Sequence, residues 1–152
     1  MRAVFFGSRS WIDPGAIDLA IERLLIEGDG SLVVVHGDAR GADRMAGELA
    51  EARGLLPIAV PADWDRHGKA AGPRRNQAMI DEHLLPFRDE GITARGFRMP
   101  GKSTGTDDML ARLKKAGIKG SIKHGVPGLV TPLAPRNPVP SMNTGKPYEL
   151  WP

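Results

Sequence analysis

Short apolar runs alternate with segments of helical periodicity over the first 124 residues of this chain. Such runs have the length and the apolar, often β-branched character of buried strands. A fourth strand is predicted within residues 93–99, although Arg95 and Arg98 make it unusually polar for a central position. Residues 118–123 are predicted to form an edge strand whose lysines discourage pairing with another sheet. The clearest strand candidates are residues 2–6, 32–35 and 58–60.

Capping residues mark the predicted helices between these strands. Asp13 followed by Pro14 is typical of a helix start, and Gly28 is typical of a helix end. The last helix has acidic residues in its first turn and lysines in its last turn, which complements the helix dipole. The other helices are predicted from Ala42 to before Gly54, from about Pro73 to about Leu85, and from the turn containing Asp107 to before Gly117. Strands alternating with helices predict an α/β fold: a three-layer sandwich with a mostly parallel sheet and right-handed crossovers.

Residues 125–152 differ in character from the rest of the chain. They contain seven prolines and almost no periodic pattern, which favours an irregular or partly disordered extension. Tyr148, Leu150 and Trp151 are candidates for anchoring its end on the domain or on a second subunit. We therefore predict one domain over residues 1–124 and a Pro-rich C-terminal extension over residues 125–152.

Composition restricts the functional class. The 152 residues, 41% of them hydrophobic, suffice for one domain with a substantial core. The chain has no cysteine, which excludes disulfides, a thiol nucleophile and a thiolate metal site. No apolar run approaches the roughly 18 residues of a membrane span, so a soluble cytoplasmic protein without a membrane partner is expected. The net charge of +3 comes from scattered basic residues and favours an ordinary solvated surface over a dedicated nucleic-acid face.

Candidate ligand-binding residues lie in four turns, each between a predicted strand and a predicted helix. In a parallel sheet such turns meet outside the carboxyl ends of the strands, where ligands bind. Glycine lets the backbone approach a ligand closely, and a helix start offers unpaired N–H groups to an anion. The candidates are Gly7, Ser8, Arg9, Gly37, Asp38, Gly41, Ala42, Asp43, Asp63, Trp64, Arg75, Asn76, Gly101, Ser103, Thr104, Gly105 and Thr106.

Several of these candidates have an equally simple structural role. Asp43 either contacts a ligand or caps its helix, and Thr106 either contacts a phosphate or is a helix N-cap. Trp64 either stacks on a base or anchors its loop. His36 is interpreted as a hydrogen-bonded histidine at a strand end, because no second histidine lies at metal-ligand spacing. No metal and no cofactor is predicted.

Catalytic motifs are absent from the sequence. There is no G-x-S-x-G elbow, no H-E-x-x-H motif and no obvious acid–base pair. Asp38, Asp43, Asp63 and Asp65 are expected at the same edge of the sheet, and Asp38, Asp43 and Asp107 are the candidates for a substitute catalytic acid or base.

The motifs, taken in order, resemble those of one family over about residues 1–122. They are GSR at 7–9 with Trp11 and Asp13, VHGDARGAD at 35–43, PADWD at 61–65, GKAAG at 68–72, Arg75 and Asn76 with Met79, and GTDDM at 105–109. This set resembles the YspA/YpsA-related branch of the SLOG superfamily, a Rossmann-like group related to LOG phosphoribohydrolases and DprA.

The resemblance implies a Rossmann-like fold, a nucleotide-related ligand and an oligomer. Members of the superfamily include phosphoribohydrolases that release a base from a nucleoside monophosphate, sensors of ADP-ribose-type signals in antiphage systems, and single-strand-binding DNA-processing proteins. The hydrolases carry P-G-G-x-G-T-x-x-E with a catalytic glutamate, and Met109 stands at that position here. Arg75 corresponds to the arginine of the hydrolases, and one extra residue lengthens the loop before Gly105.

Three functions follow as alternatives. The first is binding of a nucleotide or ADP-ribose-like ligand as a sensor or sink, because the phosphate-binding turns lack a complete catalytic set. The second is hydrolysis of an N-glycosidic or phosphoester bond, with one of the candidate aspartates as acid or base. The third is single-stranded nucleic-acid binding through Arg66, Lys69, Arg74 and Arg75, although 5% aromatic residues are few for stacking several bases.

Overall fold

In the computed structural model, which describes residues 1–133 and 149–151, a six-stranded sheet lies between two layers of helices. The strands are β1 (Arg2–Gly7), β2 (Val33–His36), β3 (Ile58–Ala59), β4 (Ile92–Arg98), β5 (Gly120–His124) and β6 (Glu149–Trp151). The helices are α1 (Pro14–Glu27), α2 (Ala42–Ala52), α3 (Trp64–His67), α4 (Ala71–His83) and α5 (Thr104–Lys115), with 3-10 turns at Gly68–Ala70 and Leu85–Glu90. The predicted α/β three-layer class is confirmed. Every helix in the described residues is too short or too polar to cross a membrane.

The order of strands places β1 in the middle of the sheet. The order is β3-β2-β1-β4-β5-β6, and β1 to β5 pair in parallel. Ala3 and Phe5 pack with α1 and α2 on one face, whereas Val4 and Phe6 pack with α4 and α5 on the other. The connection after β1 leads to β2 on one side of it, and β4 lies on its other side. A crevice therefore forms at the carboxyl ends of β1 and β4.

Helix α1 begins where its N-cap residue and its proline predict. The Asp13 carboxylate accepts the Gly15 N–H at 3.1 Å, and Pro14 is the first helical residue. The same carboxylate accepts the Thr131 N–H at 2.8 Å and the Thr131 hydroxyl at 2.7 Å. One cap therefore also fastens the segment after β5 to the start of α1.

Helix α4 begins at Ala71, two residues before its predicted start at Pro73. Proline is tolerated there because the first N–H groups of a helix have no intrahelical acceptor.

The prediction that β5 is an edge strand is wrong. β6 pairs with it in antiparallel orientation, with Leu150 opposite Ser121. The Trp151 indole Nε1 donates to the Ile118 carbonyl at 2.8 Å, and its ring meets Phe6 edge-on at 6.4 Å between centroids. The end of the extension is thus anchored on its own domain through Trp151, whereas Leu150 is exposed. Tyr148 lies outside the described residues, and the domain boundary at residue 124 stays a prediction.

Candidate functional site

A cleft of about 610 Å³ opens at the carboxyl ends of β1 and β4. Its walls come from the turn after β1, the turn between β4 and α5, and the first part of α4. This is the topological switch point of the sheet, where open α/β folds bind ligands. The predicted ligand-binding residues that line it are Gly7, Ser8, Arg9, Asp43, Trp64, Arg75, Asn76, Ser103, Thr104, Gly105 and Thr106.

A chain of hydroxyl groups ties the turn before α5 to the turn after β1. The Met99 N–H donates to Ser8 Oγ at 2.9 Å, and Ser8 Oγ lies 2.8 Å from Ser103 Oγ. The Ser103 hydroxyl donates to Thr106 Oγ1 at 2.9 Å. The hydroxyls of Ser8 and Ser103 therefore hold two turns together as well as lining the cleft.

The start of α5 directs backbone donors toward the cleft. Its N-cap is Ser103, so Thr106 is not the N-cap, and the Ser103 side chain makes no capping hydrogen bond. The N–H groups of Thr104, Gly105 and Thr106 have no intrahelical acceptor, as in any helix start. A Cβ placed on Gly105 would meet no described atom within 4 Å, so the space beside this first turn is open.

The turn between β2 and α2 is filled by the carboxylate of Asp43. The Gly37 N–H donates to Asp43 Oδ2 at 2.8 Å, and the N–H groups of Ala39 and Gly7 also hydrogen-bond to this side chain. Asp43 is 4% exposed, and the N-cap of α2 is Gly41 instead. Asp43 thus takes the position that a phosphate was expected to take in this turn.

Burial and Arg75 together set the charge of Asp43. Burial raises the pKa of Asp43 to about 6, against the lowering effect of the Arg75 guanidinium and of the three backbone N–H groups. Burial likewise lowers the pKa of Arg75, against the attraction of Asp43. A Cβ on Gly37 would lie 2.5 Å from Arg75 Nη1 and 2.8 Å from Asp43 Oδ2. A side chain at position 37 would therefore displace the ends of both side chains from their present positions.

The raised pKa of Asp43 predicts that folding stability falls as the pH rises from about 4 to about 6. In this window the folded protein keeps a proton that the unfolded chain releases, so deprotonation costs folding free energy. A shift from 3.8 to about 6 corresponds to about 3 kcal/mol. Urea unfolding of the wild type and of Asp43→Asn across this pH range measures the change in the free energy of unfolding. The variant lacks the titrating group, so its free energy of unfolding should not show this fall. An Asp43 carboxyl carbon resonance that titrates below pH 4 would contradict the prediction.

Arg75 and Asn76 connect α4 to the turns on both sides of the cleft. Arg75 Nη1 donates to the Gly37 carbonyl, and Arg75 Nε donates to Asn76 Oδ1 at 3.0 Å. Asn76 Nδ2 donates to the Gly105 carbonyl at 3.3 Å and to Asp108 Oδ2 at 3.0 Å. These two residues therefore fix the distance between the β2–α2 turn and the start of α5.

Trp64 lines the cleft and also packs against α4. A Cβ on Gly72 would come within 3.3 Å of the indole, and the Arg9 guanidinium lies 5.5 Å from the ring centroid. The Trp64 side chain is nevertheless 48% exposed. A large, flat and partly exposed ring is thus available at the cleft beside a cation.

Four predicted residues belong to the β2–α2 turn but do not line this cleft. Gly37 and Asp38 line a second, adjoining cavity. Gly41 has a φ of +78°, and a Cβ there would collide with the Ser8 carbonyl, so this glycine is required for close packing of the two turns. Ala42 is fully buried behind it.

Three more candidates have other partners in the structure. Asp63 caps α3 by accepting the Arg66 N–H at 3.1 Å. The Gly101 carbonyl accepts a hydrogen bond from Arg98 at 3.1 Å. Neither Asp63 nor Gly101 lines either cavity. Asp107 pairs with Arg98 at 2.8 Å, and the hydrogen bond from Arg98 lowers its pKa. The structure therefore does not bring Asp107 into the cleft.

Asp108 lines the cleft and was missed as a candidate. It accepts hydrogen bonds from Asn76 and from Arg112 Nε at 2.9 Å. Burial tends to raise the pKa of Asp108, but these hydrogen bonds lower it overall. Its spacing of four residues from Thr104 could have revealed it, because such residues share one helix face. Met109, at the position of the hydrolases' glutamate, is 1% exposed and packs in the core.

A family model and a phage protein are similar to this chain in sequence. Residues 1–67 match the model of the YspA, cpYpsA-related SLOG family. Gene 61 protein of Mycobacterium phage D29 is 36% identical over 122 residues, which cover 77% of this chain and 91% of that protein. The chain belongs to the YspA, cpYpsA-related SLOG family. The predicted resemblance is thereby confirmed, and SLOG membership supports a role connected with nucleotides or nucleic acids.

One solved structure similar to this SLOG protein is DNA processing protein A (DprA) from Streptococcus pneumoniae. The two chains are 22% identical, and the TM-score is 0.42. The match covers 79% of this chain and 57% of the DprA chain, so the SLOG protein spans little more than half of that structure.

Proposed function

We propose that this SLOG protein binds a nucleotide or an ADP-ribose-like ligand by its phosphate and acts as a sensor or sink of a nucleotide signal. The observation that carries the proposal is the start of α5, where Thr104 and Gly105 line the cleft and the adjacent space is open. The N-terminus of this twelve-residue helix attracts a phosphate through its free N–H groups and through the helix dipole.

The charges around the cleft support an anionic ligand. Its two lining carboxylates are already engaged, since Asp43 accepts backbone N–H groups and Asp108 is paired with Arg112. A guanidinium can bind a phosphate with two parallel hydrogen bonds, and an ammonium group adds charge. The basic residues of the lining are Arg9, Lys69, Arg75 and Lys102.

Trp64 supports a ligand that also carries a flat ring. Its indole is partly exposed and lines the cleft together with Thr104 and Gly105 of α5. Aromatic rings stack favourably on one another in an offset arrangement. A nucleotide with its phosphate on α5 and its base on Trp64 would use both kinds of contact.

A nucleotide hydrolase is the second candidate, favoured by the carboxylates of the cleft. A carboxyl group with a pKa of about 6, as for Asp43, is suited to general acid or base catalysis near neutral pH. The ionised Asp108 lies one residue before the position of the hydrolases' glutamate and could stabilise positive charge. Met109 itself cannot transfer a proton.

Thermal-shift screening tests the proposal with AMP, ADP, ADP-ribose, cyclic ADP-ribose isomers, NAD and a short single-stranded oligonucleotide, each recovered and chromatographed afterwards. A raised melting temperature with intact ligand supports a sensor or sink, because binding to the folded state alone stabilises it. Release of free base or phosphoribose would identify the protein as a hydrolase. Loss of this release in Asp43→Asn would assign the catalytic role to Asp43. The absence of a shift with every nucleotide would remove the proposed function.

Gly105→Ala separates ligand binding from folding. The added methyl group meets no described atom of the protein, and alanine is the better helix former, so the variant should be as stable as the wild type or more so. The same methyl group takes up open space beside the first turn and should weaken AMP binding about tenfold or more. Melting temperature and calorimetric affinity are measured on one preparation. Unchanged affinity would exclude the start of α5 as the phosphate site.

A further inference from the structure

A second cavity adjoins the nucleotide cleft, and its lining is more basic. Its volume is about 450 Å³, and it lies between the β2–α2 turn and the segment that follows β3. Arg9 and Arg75 line both cavities, whereas Arg40 and Arg44 line only the second. Asp38 is the one carboxylate among its lining residues in the described chain. Four guanidinium groups thus line a cavity with a single lining carboxylate, although Arg75 is also attracted by Asp43 behind it.

The existing contacts leave donors of these guanidinium groups unused. Arg44 engages Asp38 through Nε alone, at 3.2 Å from the carbonyl and 3.4 Å from Oδ1. Arg75 uses Nε and Nη1 toward the protein. Arg40 is exposed and forms no hydrogen bond or ion pair with any residue that the structure describes. Since each guanidinium carries five N–H donors in a planar fork, these arginines can still bind a phosphate.

Backbone of the β2–α2 turn and of the segment after β3 forms part of the wall of the second cavity. Asp38 has a φ of +54°, and its N–H donates to His36 Nδ1 at 3.1 Å. Pro61 and Ala62 form the side that follows β3. The cavity is therefore part of the folded turns and does not depend only on the conformations of the arginine side chains.

We propose that the second cavity binds a second anionic group of the same ligand, with Arg40 and Arg44 as its binding residues. The inference rests on the proposed function, because the first phosphate is placed at the start of α5. Arg9, Trp64 and Arg75 line both cavities, so the ligand can extend from one into the other along a continuous surface. The ligand class is one with two phosphate groups separated by a nucleoside, such as a 5′-phosphorylated dinucleotide whose nucleosides are joined by a phosphodiester.

The dimensions favour a small molecule over a long nucleic-acid strand. Each cavity falls within the range of about 300–1,000 Å³ that is usual for small-molecule sites. Trp64 is the aromatic residue that the two cavities share, and Phe6, the other aromatic of the described lining, is 3% exposed. A single strand bound along its length requires a series of exposed stacking platforms.

The test compares three adenine ligands: AMP, the 5′-phosphorylated dinucleotide and a 5′-phosphorylated ten-nucleotide strand. Affinities are measured by calorimetry for the wild type, for Arg40→Ala/Arg44→Ala and for the control Lys114→Ala/Lys115→Ala. The control removes the same charge from exposed positions that line neither cavity. Melting temperatures of both double variants establish that they are folded.

We expect the wild type to bind the dinucleotide about tenfold more tightly than AMP, since a charge-assisted contact is added. Arg40→Ala/Arg44→Ala should lose this gain and keep its affinity for AMP, whereas the control should keep both. Equal affinities of the wild type for AMP and dinucleotide, or an equal loss in the control, would overturn the second subsite and leave the first cleft intact. Much tighter binding of the ten-nucleotide strand would overturn the small-molecule class. If the wild type bound neither AMP nor dinucleotide, the proposed function itself would fail.

Discussion

Replacing Arg75 with alanine is expected to weaken nucleotide binding about 30-fold or more, since truncating a half-buried, hydrogen-bonded charge that contacts the ligand costs about 2 kcal/mol. Arg75 lines both cavities and has a fixed position, because it donates to the Gly37 carbonyl and to Asn76. The change removes one of the guanidinium groups that line both cavities. It leaves the Gly37 carbonyl and Asn76 Oδ1 without their donor. It also removes the positive charge that lowers the pKa of Asp43, so this pKa should rise further.

Two variants distinguish binding by Arg75 from a structural effect. Arg74→Ala removes the neighbouring exposed arginine, which lines neither cavity, and should leave the affinity unchanged. Arg75→Lys keeps the charge but not the planar fork, so it should recover only part of the affinity. Calorimetry with AMP and urea unfolding are performed on all three variants. Arg75→Ala that binds AMP as the wild type does would place the ligand elsewhere.

Trp151→Ala is expected to lower the free energy of unfolding by about 3–5 kcal/mol, the usual cost of deleting a buried tryptophan side chain. Trp151 is 6% exposed, donates to the Ile118 carbonyl and packs against Phe6. A Cβ on Gly120 would lie 2.6 Å from the indole, so the ring fills the space above a glycine of β5. Its loss opens the core between the sheet and α5 and leaves the Ile118 carbonyl without its donor.

Leu150→Ala is the matched control for this prediction. Leu150 belongs to the same strand and is 77% exposed, so its truncation should change stability by no more than about 0.5 kcal/mol. Urea denaturation monitored by circular dichroism measures both variants. If Trp151→Ala were as stable as Leu150→Ala, β6 would not contribute to the fold in solution, and the domain would end near residue 124 as the sequence predicts.

Features encoded by neighbouring residues were predictable from the sequence. The start of α1 depends on Asp13 and Pro14, which act within two residues of each other, and it was located correctly. The position of the cleft also follows from the order of the elements, because the carboxyl ends of parallel strands share one edge. Gly7, Thr104 and Gly105 were therefore assigned to one place without knowledge of any contact.

Features that depend on distant contacts were not predictable in this way. β6 is only three residues long, and its place beside β5 depends on the burial of Trp151 rather than on a periodic pattern. The filling of the β2–α2 turn by Asp43 depends on N–H groups from two different turns. An aspartate in the first turn of a helix has the same local pattern whether it points outward or inward, so the sequence leaves both arrangements open.

The central position of β1 has a consequence for how the chain folds. β1 precedes the other strands of the sheet along the chain, yet one of its two neighbours is β4, with Arg2 in register with Ile92. Pairing across such a separation carries a large loop-closure entropy and slows folding. Until β4 emerges from the ribosome, one edge of the most apolar strand has no partner, so the nascent chain passes through an aggregation-prone stage. Residues 1–67, which match the family model, therefore lack the strand that covers one edge of β1.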